Sequence, residues 1–367
     1  MARGVNWVQH QVQGRSLRRF LCWFLASLGL VVAIAGCSRP TADGAQAPED
    51  VELTFLSYAV TRAAYENIIP QFAAKWKAEH NQNVYFNYSY GSSGAQARAI
   101  VDGLDADIAA LALELDTQRI EQAGLIEPGW QQELPNNAVV HRSVVALVTR
   151  EGNPRQISGW QDLAKDNVQI VTANPKTSGG ARWNFLALWG AVTQTGGNDD
   201  QALDYTTNVF RQVPVLARDS RESSDAFFQQ GQGDVLINYE NEMILANRNG
   251  ESVLPIIPTD VNISIDSPVA VVDANVDRHG TREVAEAFLE FLFTPEAQRE
   301  FAKAGFRPID PQIAQEFADQ YPKIDKLFTV QDLGGWQTVQ AKFFDTGSIF
   351  DQIQTQISQQ ASLASSF

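Results

Sequence analysis

Asn174-Pro175-Lys176-Thr177-Ser178-Gly179-Gly180-Ala181-Arg182-Trp183-Asn184 is the stretch whose reading decides the fold. The apolar run Val168 to Ala173 leads into it and reads as a buried strand. Phe185, Leu186, Leu188 and Trp189 follow at helical spacing, which predicts a helix over 179–193. Ser178 stands where an N-cap belongs, and Gly179 and Gly180 open the first turn. The N–H groups of a first turn have no intrahelical acceptor, and the helix dipole adds positive potential there. Two glycines bring no side chain that would hold an anion away from those groups. The segment therefore reads as an anion cradle made of backbone and one hydroxyl. Taken alone, Ser-Gly-Gly more often marks a plain turn. The stretch matches neither of the glycine-rich phosphate loops, G-x-x-x-x-G-K-[ST] and G-x-G-x-x-G.

The same alternation of strand and helix extends on both sides. Strands are expected at 51–57, 83–90, 107–111, 143–150, 213–217, 234–239 and 268–273, with Pro214 making its segment an edge strand or a strand start. Helices are expected at 61–79, from Ser93 to Val101, and over 223–230, 282–294 and 295–304, with a kink or break at Pro70. Repeated strand–helix units predict an α/β fold with mostly parallel sheets and helices on both faces. Ligands in such folds sit beyond the carboxyl ends of the strands. About 317 residues from Val51 onward exceed one ordinary core, so two lobes are expected.

Residues 1–37 read as an export signal. Arg15, Arg18 and Arg19 precede the apolar run Phe20 to Ala35, and Ile34-Ala35-Gly36-Cys37 looks like a lipobox in which Cys37 would be acylated. Ordinary cleavage nearby, with Cys37 incidental, is the alternative. Residues 38–50 read as a flexible tether. Both cysteines, Cys22 and Cys37, lie in the leader, which leaves the rest of the chain no thiol for a disulfide, a zinc site or a nucleophile. The leader also holds four of the 28 basic residues and no acid, so the remainder carries 24 basic against 43 acidic residues, a net charge near −19. That balance argues against nucleic acid as a ligand, which needs clustered Lys and Arg. It also means that an anion site here must work through local dipoles and close geometry.

The undecapeptide closely resembles the N-P-K-[ST]-S-G-G-A-R-W-N motif of the periplasmic sulfate-binding proteins that feed sulfate/thiosulfate ABC importers. Four further stretches resemble that family in chain order. Ser57-Tyr58-Ala59-Val60-Thr61-Arg62 is similar to S-Y-D-P-T-R, with Ala59 where the family uses a backbone N–H. Gly91-Ser92-Ser93-Gly94-Ala95-Gln96 is similar to G-G-S-G-x-Q, with Ser93 at another main-chain donor. Ala217 to Ser223 aligns with D-S-G-A-R-G-S, placing Ser220 at a main-chain donor and matching Arg221. Gly233 to Glu242 resembles G-D-V-L-I-x-W-E-N-E, with Tyr239 in place of the indole that donates to the anion.

The resemblance implies a type II periplasmic-binding-protein fold, with lobe one over 51–140 and 262–345, lobe two over 141–261, and residues 346–367 packing back on the body. It implies an anion held by Ala59, Ser93, Ser178, Gly179, Gly180, Ser220 and Tyr239, with Arg221 and Arg182 bracing the loops from behind. Asp219 and Glu222 depart from the family by placing negative charge beside the site; they are expected to face solvent and pair with Arg218. The implied protein is monomeric, periplasmic, without cofactor or metal, and catalyses nothing; it hands its anion to permease subunits coupled to an ATPase.

Sulfate offers only acceptors at neutral pH, so a site built of donors suits it, whereas a protonated phosphate gains from a carboxylate acceptor. Thiosulfate is the nearest rival ligand, and molybdate and phosphate rank lower. A secreted hydrolase is disfavoured, because G-x-S-x-G, H-E-x-x-H and a cysteine nucleophile are missing, and His80, His141 and His279 lack metal-ligand spacing. A lipid-anchored receptor presenting its ligand to a signalling partner is the third reading.

Overall fold

The computed structural model describes residues 49–248, 250 and 255–364. The leader, Cys22, Cys37 and most of the tether lie outside the described residues. In chain order the strands are β1 (Val51–Tyr58), β2 (Val84–Gly91), β3 (Ile108–Ala110), β4 (Val139–Ser143), β5 (Val145–Thr149), β6 (Ile170–Ala173), β7 (Leu216–Ala217), β8 (Val235–Tyr239), β9 (Pro255–Ile256), β10 (Asn262–Ile263), β11 (Ile265–Val271), β12 (Arg307–Pro308) and β13 (Leu327–Phe328). The first seven helices are α1 (Arg62–His80), α2 (Ser93–Val101), α3 (Glu114–Gln122), α4 (Gly179–Thr193), α5 (Asp199–Arg211), α6 (Ser220–Phe228) and α7 (Glu240–Arg248).

Two sheets organise two lobes. The first has the order β12-β4-β11-β3-β1-β2 and the second β7-β6-β8-β5-β9. The pairings make β1, β2, β3 and β4 run one way in the first sheet, with β11 and β12 opposed. In the second, β6, β7, β8 and β9 run together and only β5 is opposed. The strands are thus mostly parallel in direction, and the opposed ones include those that carry the chain between sheets. β7 is an edge strand, as Pro214 implied.

The chain crosses from the first sheet to the second at Val144 and returns between β9 and β11. Asn262, fully buried, ties the two crossings: its Oδ1 accepts from Val145 N–H at 3.1 Å and its Nδ2 donates to Val145 O at 2.9 Å. Residues 141–143 therefore belong to the first sheet, because β4 pairs there with β11 and β12. A larger correction concerns the end of the chain. From β13 onward it lies on the second lobe: Trp336 packs edge-on against Trp183, and Phe343, Phe344 and Phe350 surround Phe185. The helix Ile349–Ala364 continues this cover, with Phe350 against Phe210 of α5.

The physical reason is in α4. Its residues Gly179 to Ala191 are all buried, Arg182 and Asn184 included, so it needs a layer on both faces. The second sheet covers one face and the C-terminal segment the other. Lys176 of the motif fastens that segment by donating to Phe344 O at 2.9 Å and pairing with Asp351 at 2.8 Å. Pro70 does not break α1; it and Glu66, whose carbonyl it leaves without an N–H, are both exposed.

Candidate functional site

Four helical N-termini converge between the lobes. The 3-10 turn Ala59–Thr61 follows β1, α2 starts at Ser93, α4 starts at Gly179 and α6 starts at Ser220. The first two belong to lobe one and the others to lobe two. Together they enclose a small cavity lined by Ala59, Ser93, Ser178, Gly179, Gly180 and Ser220 among others. Its volume, about 10 Å³, is far below the roughly 300–1,000 Å³ of a site for a drug-sized ligand, so the lobes are closed tightly over this point. Each N-terminus presents N–H groups without intrahelical acceptors, so the cavity is ringed by donors and positive dipole ends.

The side chains divide into spent and free. Ser178 caps α4, its hydroxyl oxygen accepting from Ala181 N–H at 3.2 Å, which leaves its proton to donate. Ser93 is the first residue of α2 and not its cap. Its hydroxyl donates to Asp116 at 2.6 Å and accepts from Ala112 N–H at 3.0 Å, so it can offer a ligand only its main-chain N–H. Ser92 holds the cap position, yet its hydroxyl crosses to the other lobe and donates to Thr177 O at 2.6 Å. Ser220 Oγ is buried without a protein partner, and so is the phenol of Tyr239. The Tyr239 ring lies against Gly180: a Cβ there would stand 2.5 Å from Tyr239 Cε2 and would also run into Ser220 Oγ. Tyr239 thus sits behind the glycine, and burial pushes its phenol pKa well up, so it stays protonated.

Among the described residues no arginine lines the cavity. Arg182 Nε donates to Pro175 O at 2.9 Å, and its Nη1 lies 3.9 Å from Asp116 across the lobe boundary. Arg221 pairs at 2.8 Å with Glu242, a buried carboxyl that burial pushes up while Arg221 and Ser224 pull it back. The expectation for Glu222 and Asp219 separates. Glu222 is half exposed and accepts from Arg218 N–H at 2.6 Å. Asp219, in contrast, does not face solvent: it is 6% exposed, caps α6 by accepting from Glu222 N–H at 2.9 Å, and lines the cavity. An N-cap carboxylate must fold back over its own helix terminus, and here that terminus points into the site.

The lobes meet around the cavity. Trp183 Nε1 donates to Ala112 O at 2.9 Å, and a Cβ on Gly179 would stand 2.8 Å from Ala112 Cβ and 3.1 Å from Leu113 Cγ. Ala112, Asp116 and Tyr58 are parts of this assembly that sequence reasoning missed; nothing in Leu111 to Asp116 reads as more than a strand end. Among the described residues no group of three or more His, Cys, Asp or Glu is placed to hold a metal. His141 is buried beside Phe306 with its pKa lowered to about 3 by burial, His80 stacks on Trp76, and His279 meets Asp107. All three do structural work.

Comparison with known proteins bears on the family and the fold. The family described as bacterial extracellular solute-binding protein matches residues 53–307. A sulfate-binding protein of Synechococcus elongatus is 58% identical over 345 residues, covering 92% of this chain and 96% of that protein. A thiosulfate-binding protein of Pseudomonas aeruginosa is 38% identical over 300 residues, covering 81% and 90%. Among solved structures, the sulfate-binding protein SubI of Mycobacterium tuberculosis superposes with a TM-score of 0.74 at 36% identity, covering 80% of this chain and all of that one. A two-lobed body, a donor-lined cavity between the lobes and these likenesses lead to one statement: this chain belongs to the bacterial extracellular solute-binding protein family.

Proposed function

We propose that the chain is the extracytoplasmic binding protein of a sulfate importer, capturing sulfate between its lobes and delivering it to the permease subunits of an ABC transporter. The observation that carries this reading is the convergence of four helical N-termini on a small cavity that, among the described residues, no Lys or Arg lines. A dianion there meets N–H donors at Ala59, Ser93, Gly179, Gly180 and Ser220 and the proton of Ser178, with Tyr239 behind. Each hydrogen bond to a charged group contributes about 1.5–3 kcal/mol. A handful therefore outweighs desolvation by enough for micromolar binding, which needs roughly 8 kcal/mol. The protein performs no chemistry; lobe closure around the anion creates the surface that the permease reads. It works as a monomer in the periplasm, held to a membrane through acylated Cys37.

Calorimetry on the leaderless chain, dialysed free of anion, tests this. One-to-one binding of sulfate at micromolar or lower concentration is the expected result, and no heat with sulfate or thiosulfate would sink the proposal. Thiosulfate binding tighter than sulfate would move the assignment to the second anion. Ser178→Ala is expected to weaken sulfate binding by roughly tenfold, the low end of a charge-assisted bond, because water can reach the site when the lobes open. In the same titration, Lys176→Ala is expected to leave affinity within about threefold but to lower stability by about 1 kcal/mol, since it releases only the C-terminal cover.

A further inference from the structure

Most side chains around the cavity are already committed. Ser92 is spent on Thr177, Ser93 on Asp116 and Ala112, and Ser178 accepts from Ala181. Two groups on the lobe-two wall remain available as acceptors. Asp219 uses Oδ1 for the α6 cap, while Oδ2 has only a loose contact, 3.5 Å, with the Nε of Arg218, whose side chain is 75% exposed. Ser220 Oγ, next in the chain, is buried and unpartnered. Both residues line the cavity. A ring of N–H donors repels any proton carried by a ligand, because that proton finds nothing to receive it. A carboxylate oxygen and a free hydroxyl remove that obstacle.

We propose that Asp219, with Ser220 beside it, sets the selectivity of this cradle by giving it an acceptor, so that the site binds singly protonated tetrahedral oxyanions as well as fully deprotonated ones. This rests on the reading of the cavity as an oxyanion site. Against a fully deprotonated dianion, the Asp219 carboxylate is a nearby like charge and weakens binding. Against an anion bearing one proton, it accepts a hydrogen bond and strengthens binding. The same side chain therefore acts with opposite signs on the two ligand classes.

Asp219→Asn separates these effects while keeping the helix cap, since asparagine caps as well as aspartate. The variant and the wild type would be titrated calorimetrically with sulfate and with inorganic phosphate at pH 7. The wild type is expected to bind both, phosphate more weakly. Asp219→Asn is expected to bind phosphate at least about tenfold more weakly and sulfate equally or up to about tenfold more tightly. Ser220→Ala is expected to weaken phosphate by more than it weakens sulfate. A wild type that shows no phosphate binding up to millimolar concentration overturns the proposal. So does an Asp219→Asn variant in which both affinities fall together, which is what a merely structural role would produce, or in which neither changes. A wild type that binds phosphate but not sulfate supports the acceptor and sinks the sulfate reading; silence toward both anions overturns both.

Discussion

Gly179→Val is expected to lower sulfate affinity by roughly 100-fold or more, the largest loss from any single change around the site. Gly179 contributes more than an N–H open to the anion. Its Cα is where lobe two touches lobe one: an added Cβ would stand 2.8 Å from Ala112 Cβ, 3.1 Å from Leu113 Cγ and 3.3 Å from Ser93 Cβ. Those neighbours are β-carbons and a branch point close to the backbone, with no flexible tip to swing away, so the lobes themselves must part. Valine adds two further methyl groups in the same place. Affinity then falls because the closed arrangement that completes the donor ring is no longer populated. The lobes should each remain folded. Far-ultraviolet circular dichroism is expected to stay unchanged, and small-angle scattering with saturating sulfate is expected to show a more extended particle than wild type. Wild-type affinity in this variant would mean that the anion does not bind where the lobes meet.

Arg307→Met is expected to destabilise the chain by about 3–5 kcal/mol at pH 7–8. Arg307 lies on β12 in lobe one and forms a two-pronged bond to Glu240 at the start of α7 in lobe two, at 2.7 and 2.9 Å. Glu240 is 2% exposed, so removing the guanidinium strands a carboxylate in the interior. The pH dependence has a definite sign. Burial already pushes the Glu240 carboxyl above its ordinary value against the pull of Arg307, and without Arg307 it rises further. A group with a raised folded pKa costs nothing while protonated in both states. The loss is therefore small near the ordinary carboxyl pKa of about 4.3 and grows as pH rises through the raised value. Urea midpoints at pH 5 and pH 8, with the m-value held constant, read this directly. A variant equally destabilised at both pH values would show that packing, and not the stranded charge, is the cause.

Much of the site was legible locally. Ser178 as cap, Gly179 and Gly180 in the first turn, and a helix over 179–193 all follow from chemistry within a few residues, and α4 has those bounds. The edge position of β7 followed from Pro214 for the same reason. Asp219 was misread because its tendency to cap a helix says nothing about which way that helix end points. Ser92 and Ser93 are chemically identical neighbours, and only the tertiary contacts to Thr177 and to Asp116 separate their roles.

The sequence by itself determined the alternating strand–helix order, the donor-rich helix starts and the want of any thiol beyond the leader, because each is a property of short-range backbone and side-chain chemistry. Only the tertiary structure decided that the C-terminal segment covers the second lobe, that Trp183 and Gly179 meet Ala112 across the boundary, and that Asp219 is buried beside the cavity. Those facts depend on how two lobes joined by crossing strands come together, and contacts between residues tens to hundreds of positions apart leave no periodic trace in the chain.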